Sequence, residues 1–239
     1  MDPSYRSSYS IPLSQEQVES SIAAVFRQIY LWMGAGLLVT AAVAWLVSES
    51  NLILVFARQP LFFYGLLGGE LLLVIGLTAA IQRLSTPTAL IMFFIYAALN
   101  GATMSVIFLL YTLSSIASTF VVTAGMFAIM SLLAYSTGLD LTRFGSLLFM
   151  GLIGLIIGSV VNLFWANSVL YWIVTFAGIV LFIGLTAYDT QRIRKRTQAM
   201  LVSGQEAAIA KLSLMGALSL YLDFVNLFLL LLRVVGRRR

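Results

Sequence analysis

The sequence contains no cysteine and no histidine in its 239 residues. Disulfides, thiolate nucleophiles, the usual zinc and haem ligands and Ser-His or Cys-His catalysis are therefore excluded. The oxygen ligands that remain, from carboxylates, hydroxyls, amides and the backbone, suit protons and hard cations. We expect no enzymatic activity and no resident cofactor. An intramembrane aspartyl dyad is the one enzyme chemistry still open.

Charged residues are also scarce, at 10% of the chain, whereas soluble domains carry about 25%. Hydrophobic residues make up 61% and the mean hydropathy is +1.00. A water-soluble chain this poor in charge could not cover its surface, so the lipid bilayer is expected to be its solvent. Basic residues that flank helices at an anionic leaflet explain the net charge of +5, and we expect no nucleic-acid partner.

Apolar runs fill most of the chain, and each is near the roughly 20 residues that cross a bilayer. They are too long and continuous for barrel strands, so the sequence predicts an all-α membrane protein with a seven-helix bundle. The runs cover about 30–47, 60–81, 87–111, 116–135, 146–165, 169–189 and 212–235. The longest connector is expected at 190–210. We assign 26–236 to this membrane domain and 237–239 to a basic C-terminal tip.

The first 25 residues form a polar tail with a short amphipathic lead-in. Residues 1–13 are expected to be disordered, and they lack the pattern of a cleaved signal peptide. Ser14 followed by Gln17 predicts a capping box. Val18, Ile22 and Val25 then recur at helical spacing. This lead-in either lies on the membrane surface or extends the first spanning helix.

The distribution of lysine and arginine predicts the orientation in the membrane. With seven crossings, the side of the N-terminus holds nine of the 14 basic residues, namely Arg6, Arg27, Arg83, Arg143, Arg192, Arg194, Lys195, Arg196 and Lys211. The other side holds Arg58, Arg233, Arg237, Arg238 and Arg239. The excess predicts a cytoplasmic N-terminus and an external C-terminus. A seventh segment that re-enters the membrane would instead place the terminal arginines inside.

Three of the nine acidic residues, Glu70, Asp189 and Asp223, fall inside apolar runs. A carboxylate at the bilayer centre costs about 2.5 to 3.5 kcal/mol on insertion scales, so each should face the bundle interior with a partner or a proton. The structural alternative for each is a hydrogen bond or an ion pair that orders the bundle.

Asp189 and Asp223 lie on consecutive helices, which are usually antiparallel neighbours. They differ in depth, and they can meet if helix six continues past Asp189 or if helix seven begins outside the membrane. We expect the second. Two adjacent carboxylates in a low-dielectric site cannot easily both ionise, so they would share a proton. Two carboxylates are also too few to bind calcium tightly, which favours a weak, transient cation site.

Other polar residues have less specific patterns. Glu70 could line a path or pair with a threonine or asparagine on a neighbouring helix. Asn226, three residues after Asp223, could complete the site or only its packing. Asn100 is expected to form a helix–helix hydrogen bond. The basic cluster 192–196 is more typical of a topology and lipid-headgroup determinant than of a ligand site.

Two stretches resemble the transmembrane Bax inhibitor motif (Bax inhibitor-1) family, in particular its bacterial inner-membrane members. They are GLTAYDTQRIRK at 184–195 and ALSLYLDFVNLFLLLLR at 217–233. TFVVTAGMF at 119–127 is similar to the family's fourth-helix pattern. The resemblance covers essentially everything after the N-terminal tail, and the YD and LYLD motifs are its most specific parts.

The resemblance implies a bundle with the last helix at its centre, in the bacterial inner membrane. It also implies a proton-sensitive calcium leak gated by an aspartate pair, which corresponds to Asp189 and Asp223. An arginine near the end of helix two is implied as a latch, and Arg83 is the nearest candidate. The alternative is a regulatory protein that conducts nothing and binds a membrane protease or another membrane partner, as has been described among relatives.

Overall fold

The computed structural model describes residues 14–239, so the expected tail at 1–13 lies outside the described residues. Seven of its helices are long and apolar enough to cross a membrane, which confirms the predicted all-α bundle. Helix one to helix seven are Gln15–Ser48, Pro60–Ala80, Thr86–Met104, Leu113–Ser136, Gly145–Trp165, Ser168–Val202 and Glu206–Val235. Two short helices, Leu52–Arg58 and Ile107–Leu110, and the 3-10 turn Leu141–Phe144 lie in the connections.

Helix one is continuous from Gln15 to Ser48, so the lead-in is an extension of the first spanning helix. The predicted capping box is confirmed, because the Ser14 hydroxyl accepts from Gln17 N at 3.2 Å and the Gln17 side chain accepts from Ser14 N at 2.9 Å. Ile22 and Val25 of the lead-in are buried against other helices. The segment therefore packs on the bundle through these two apolar side chains.

Helix three ends at Met104, earlier than the predicted end near residue 111. The carbonyls of Gly101 and Ala102 both accept from Ser105 N, and the chain then turns into Ile107–Leu110. Gly101 lies against helix one, since a Cβ added there would stand 2.5 Å from the Thr40 carbonyl oxygen. This contact brings the backbones of helices one and three together, as small residues do in membrane bundles.

The long connector predicted at 190–210 is wrong. Helix six continues to Val202, the turn is confined to 203–205 with Gly204 at φ +69°, and helix seven begins at Glu206. The extension of helix six is amphipathic, with Ile193, Thr197 and Leu201 buried. Hydropathy averaged over a window conceals such a face, because the arginines between these residues dominate the mean.

Helix seven is the centre of the bundle, as predicted. Of its most apolar segment 61% is buried, against at most 33% in any other spanning helix. It packs against helices one, three, four and six. Burial on several sides explains why this helix is apolar around most of its circumference.

The C-terminal residues lie at the end of the bundle opposite the turn at Gly204. Arg237 N donates to Ser115 Oγ at 2.9 Å, Thr112 N donates to Arg237 O at 3.2 Å, and Arg239 N donates to Leu110 O at 3.1 Å. These contacts fix the tail against the start of helix four. Helix seven therefore runs the length of the bundle and does not turn back within it. Its full crossing of the membrane stays a prediction.

Candidate functional site: an acidic pair between helices six and seven

The turn at Gly204 folds helices six and seven into an antiparallel hairpin. This arrangement places Asp189 of helix six near Asp223 of helix seven. Ser219 of helix seven lies beside the Asp189 carboxyl, and Asp223 follows one helical turn later. The two carboxylates are close enough for their charges to interact. Helix six runs past Asp189 to Val202, which meets the first condition for their approach. Helix seven starts at Glu206, well before Asp223, and its start outside the membrane stays a prediction.

Asp223 is the more enclosed member of this pair. It is 5% exposed, and its Oδ2 atom is buried without a hydrogen-bond partner among residues 14–239. A buried carboxylate oxygen without a partner is costly if it carries charge. A proton or a cation at Asp223 would remove that cost.

Asp189 lies where the interior of the bundle meets a cluster of arginines. Its side chain is 14% exposed and its Oδ1 atom lies 3.8 Å from Arg192 Nη1, one turn along the helix. Arg196 also lies within electrostatic range. Asp189 therefore has compensating positive charge nearby, whereas the nearby charge that acts on Asp223 is that of Asp189.

Gln191 fixes helix six against the end of helix four, a role that the sequence did not indicate. Its Nε2 donates to Ala134 O at 3.1 Å and Leu139 O at 2.8 Å, while its Oε1 accepts from Leu141 N at 2.8 Å. Its partners are backbone groups, so no side-chain pattern could have revealed them. Two residues from Asp189, Gln191 limits how far this part of helix six can move relative to helix four.

Two ion pairs hold the basic cluster 192–196 in place. Arg194 Nη2 lies 2.9 Å from Glu19 Oε1 of helix one, and its Nη1 donates to Tyr135 O at 2.7 Å. Lys195 Nζ lies 2.7 Å from Asp140 Oδ1 in the connector before helix five. Arg194 and Lys195 thus tie helix six to helix one, helix four and a connector. The role of the cluster in topology and lipid contact stays a prediction.

Glu70 belongs to a separate interior network. Thr103 Oγ1 of helix three donates to Glu70 Oε1 at 2.9 Å. The predicted helix–helix bond of Asn100 is confirmed, because Tyr221 Oη donates to Asn100 Oδ1 at 3.3 Å. Tyr221 also shares a hydrogen bond with Thr40 at 2.7 Å. The bond from Thr103 means that Glu70 pairs with a threonine on a neighbouring helix, one of the two roles considered for it.

Two further candidates lie at Asn226 in helix seven and at Arg83 in the connector between helices two and three. Asn226 Nδ2 donates to Leu222 O at 2.8 Å within helix seven. Arg83 is exposed in the connector between helices two and three, and among the side chains that the structure describes no ion pair includes it. Among the same residues, no cluster of three or more acidic side chains is arranged to hold a metal ion. The latch role of Arg83 and the weak cation site at Asp189 and Asp223 stay predictions.

A bundle of apolar helices around a buried helix seven, with two carboxylates between its last two helices, defines a polytopic membrane protein with an acidic interior site. The family model described as "Inhibitor of apoptosis-promoting Bax1" matches residues 22–239. The chain therefore belongs to the Bax inhibitor family, which confirms the predicted resemblance.

Relatives from distant bacteria match over nearly their whole length. The chain is 47% identical over 225 residues to the inner membrane protein YbhL of Escherichia coli K12, covering 93% of this chain and 95% of the relative. It is 41% identical over 232 residues to a protein of Borreliella burgdorferi, covering 96% and 99%. It is 37% identical over 218 residues to a membrane protein of Streptococcus pyogenes, covering 89% and 92%. Together with the apolar helices, YbhL supports the predicted inner-membrane location.

Proposed function

We propose that this protein is a pH-regulated cation leak of the bacterial inner membrane, with calcium as the transported ion and with Asp189 and Asp223 as its gate. The observation that carries the proposal is the buried, unpartnered Oδ2 of Asp223 beside a second carboxylate. A structural carboxylate would be expected to have its hydrogen bonds satisfied.

The gate works by electrostatic repulsion. In the closed state one proton serves both carboxylates and links helix six to helix seven. We assign this proton to Asp223, because Arg192 and Arg196 compensate the charge of Asp189. Loss of the proton creates two negative charges in a low-dielectric site, which separates the helices or recruits a cation. A rise in pH should therefore open the path.

Beyond Asp223, towards the C-terminal end, the proposed path is apolar. A cavity of about 90 Å³ lies between helices one, three, four and seven, and Phe120, Phe224 and Phe228 contribute to its wall. Hydrophobic constrictions gate channels by excluding water. Separation of the helices at the acidic pair would widen this cavity and admit water.

Two carboxylates and the neighbouring Ser219 offer few oxygen ligands. Stable calcium sites use six to eight. The proposed interaction with calcium is therefore weak and transient, as passage requires, because an ion that binds too tightly cannot leave.

The test is calcium flux in liposomes that contain the purified protein and an ion-sensitive dye, measured from about pH 5 to 8. Wild-type flux should rise with pH. Asp189→Asn and Asp223→Asn each make the doubly charged state impossible while retaining size and hydrogen bonding. Both variants should lose the pH dependence of flux. Asp140→Asn, in the exposed ion pair with Lys195, is the matched control and should keep it.

Two results would contradict the proposal. A wild-type pH profile in both interior variants would place the gate elsewhere. Absence of flux in wild-type protein at every pH would favour the alternative function, a non-conducting regulator that binds a membrane protease or another membrane partner.

A further inference from the structure

A cleft of about 730 Å³ opens at the C-terminal end of the bundle, far from the acidic pair. It lies between the end of helix five, the start of helix six and the C-terminal tail. Its lining includes Arg233, Arg238, Asn162, Asn167 and the aromatic ring of Trp172. No acidic residue lines the cleft within the described part of the chain.

Contacts hold Arg233 and Arg238 at the cleft, but no ion pair among the described side chains neutralises their charge. The guanidinium of Arg233 lies over the Tyr171 ring at 5.5 Å from its centroid. An antiparallel backbone bridge between Arg238 and Tyr111 fixes the tail beside the cleft. Neither arginine forms an ion pair with any side chain that the structure describes. Two positive charges held at one cleft favour binding of an anion there.

The asparagines add neutral hydrogen-bond donors. Asn162 Oδ1 accepts from Asn167 N at 3.0 Å, and Asn167 Oδ1 accepts from Leu170 N at 2.9 Å. These bonds fix both side chains through their carbonyl oxygens. Each amide group therefore has its NH2 available for an acceptor in the cleft.

The surroundings of the cleft indicate where the anion comes from. Trp165 is 78% exposed and Trp172 is 43% exposed, as expected for tryptophans at the level of lipid headgroups. Helix five presents no buried residue, and most of its large apolar side chains are exposed and available to lipid. Leu163 belongs both to this lipid-facing surface and to the cleft wall. Acyl chains can therefore lie along helix five while a headgroup occupies the cleft.

We propose that this cleft binds the phosphate group of an anionic phospholipid from the leaflet at the C-terminal end, with Arg233 and Arg238 as its ligands. Arginine suits this role because its planar guanidinium binds phosphate through two parallel hydrogen bonds. Zwitterionic phospholipids carry the same phosphate but also a cationic group, which the two arginines repel. The site should therefore select lipids with a net negative charge.

The experiment uses delipidated full-length protein in detergent, titrated with phosphatidylglycerol or phosphatidylcholine of identical acyl chains. Native mass spectrometry counts the bound lipids, and the thermal midpoint reports stabilisation. Wild-type protein should bind phosphatidylglycerol more tightly. Arg233→Gln and Arg238→Gln should each weaken this binding about fivefold, the effect of one basic residue at an anionic surface. Neither variant should change phosphatidylcholine binding.

Arg58→Gln is the matched control, because it removes one exposed positive charge from the connector after helix one, outside the cleft. It should bind both lipids like wild type. Arg233→Gln also removes the contact with Tyr171 and could impair folding. Arg238→Gln leaves that contact intact, so it tests the cleft independently. Equal affinity for the two lipids, or wild-type affinity in both cleft variants, would overturn the proposal. Stabilisation by inorganic phosphate but not by phosphatidylglycerol would also overturn it, since the cleft would then bind a free anion.

Discussion

The hydroxyl groups of Tyr221 and Thr40 lie 2.7 Å apart in the interior of the bundle, where they join helix seven to helix one. Thr40 Oγ1 is also 2.9 Å from Ala97 O of helix three. Tyr221 is fully buried and its ring packs edge-on against Phe93 at 5.6 Å between centroids. One tyrosine therefore connects the central helix to two of its neighbours.

Tyr221→Phe should lower the free energy of unfolding in lipid or detergent by about 1 kcal/mol, a typical contribution of a hydrogen bond in a membrane bundle. The aromatic packing is retained, so only the hydroxyl contributes to the loss. Tyr64→Phe is the control, because Tyr64 is 55% exposed. An equal effect of the two substitutions would show that the interior bond adds no stability.

Gly101→Ala should destabilise the bundle by about 1 to 3 kcal/mol, the usual cost of overpacking. The new methyl group would meet the Thr40 carbonyl oxygen at 2.5 Å, and a backbone atom cannot move aside as a side chain can. Gly125→Ala is the matched helical control, since nothing lies within 4 Å of its added Cβ. Thermal midpoints of the two variants should shift in opposite directions or differ by several degrees, because alanine favours a helix where space permits.

The number of spanning helices could be predicted from the sequence because each run is long, apolar and bounded by polar residues. The start of helix two at Pro60 and the cap at Ser14 could be predicted because they depend on local chemistry. The extension of helix six to Val202 could not. It depends on packing of Ile193 and Leu201 and on the ion pair between Arg194 and Glu19, residues that are distant in sequence.

The acidic pair could be proposed from sequence because a carboxylate inside an apolar run is conspicuous. Its surroundings could not be predicted in the same way. Gln191 bonds to backbone groups of another element, and Thr103 meets Glu70 through the approach of helices two and three. Such contacts depend on the rotation of each helix about its axis, which hydropathy does not specify.

Glu70→Gln should leave the fold and the pH dependence of calcium flux unchanged. The amide oxygen of glutamine can still accept from Thr103 Oγ1, the contact that Glu70 Oε1 makes at 2.9 Å. Glu70→Leu removes this acceptor and should cost about 1 kcal/mol of unfolding free energy. Flux that changes in Glu70→Gln without a change in stability would instead indicate that Glu70 lines the ion path.

Reporter fusions should place the two ends of helix seven on opposite sides of the membrane. Arg239 bonds to Leu110 at one end of the bundle, whereas Gly204 lies in the turn at the other. With the predicted cytoplasmic N-terminus, a fluorescent reporter inserted at Gly204 should be active inside. Alkaline phosphatase fused after Arg239 should be active outside. Loss of both signals would mean that the excess of basic residues gave the wrong orientation. One signal without the other would place both ends on the same side and contradict the full crossing.

The stability that the ion pair of Asp140 with Lys195 contributes should depend on pH differently from that of the interior pair, Asp189 and Asp223. Hydrogen bonds from Lys195 and then from Thr142 lower the pKa of Asp140 from 3.8 to about 2. A carboxylate with a lower pKa in the folded state stabilises the fold above its unfolded value of 3.8, and this contribution is lost as pH falls through about 2. From about pH 5 to 8, Asp140 is therefore ionised in both states and its contribution is constant.

Asp140→Asn should consequently change the thermal midpoint in detergent by the same small amount at about pH 5 and at about pH 8, because the Lys195 bond is exposed and screened. Asp223→Asn should behave differently. Its midpoint relative to wild type should rise with pH across the same range, because the substitution removes the repulsion that ionisation of the pair creates. If the thermal midpoints of Asp223→Asn and wild type change in parallel from about pH 5 to 8, the acidic pair does not exchange its proton in this pH range. The shared-proton gate would then be excluded at physiological pH, whatever flux the protein carries.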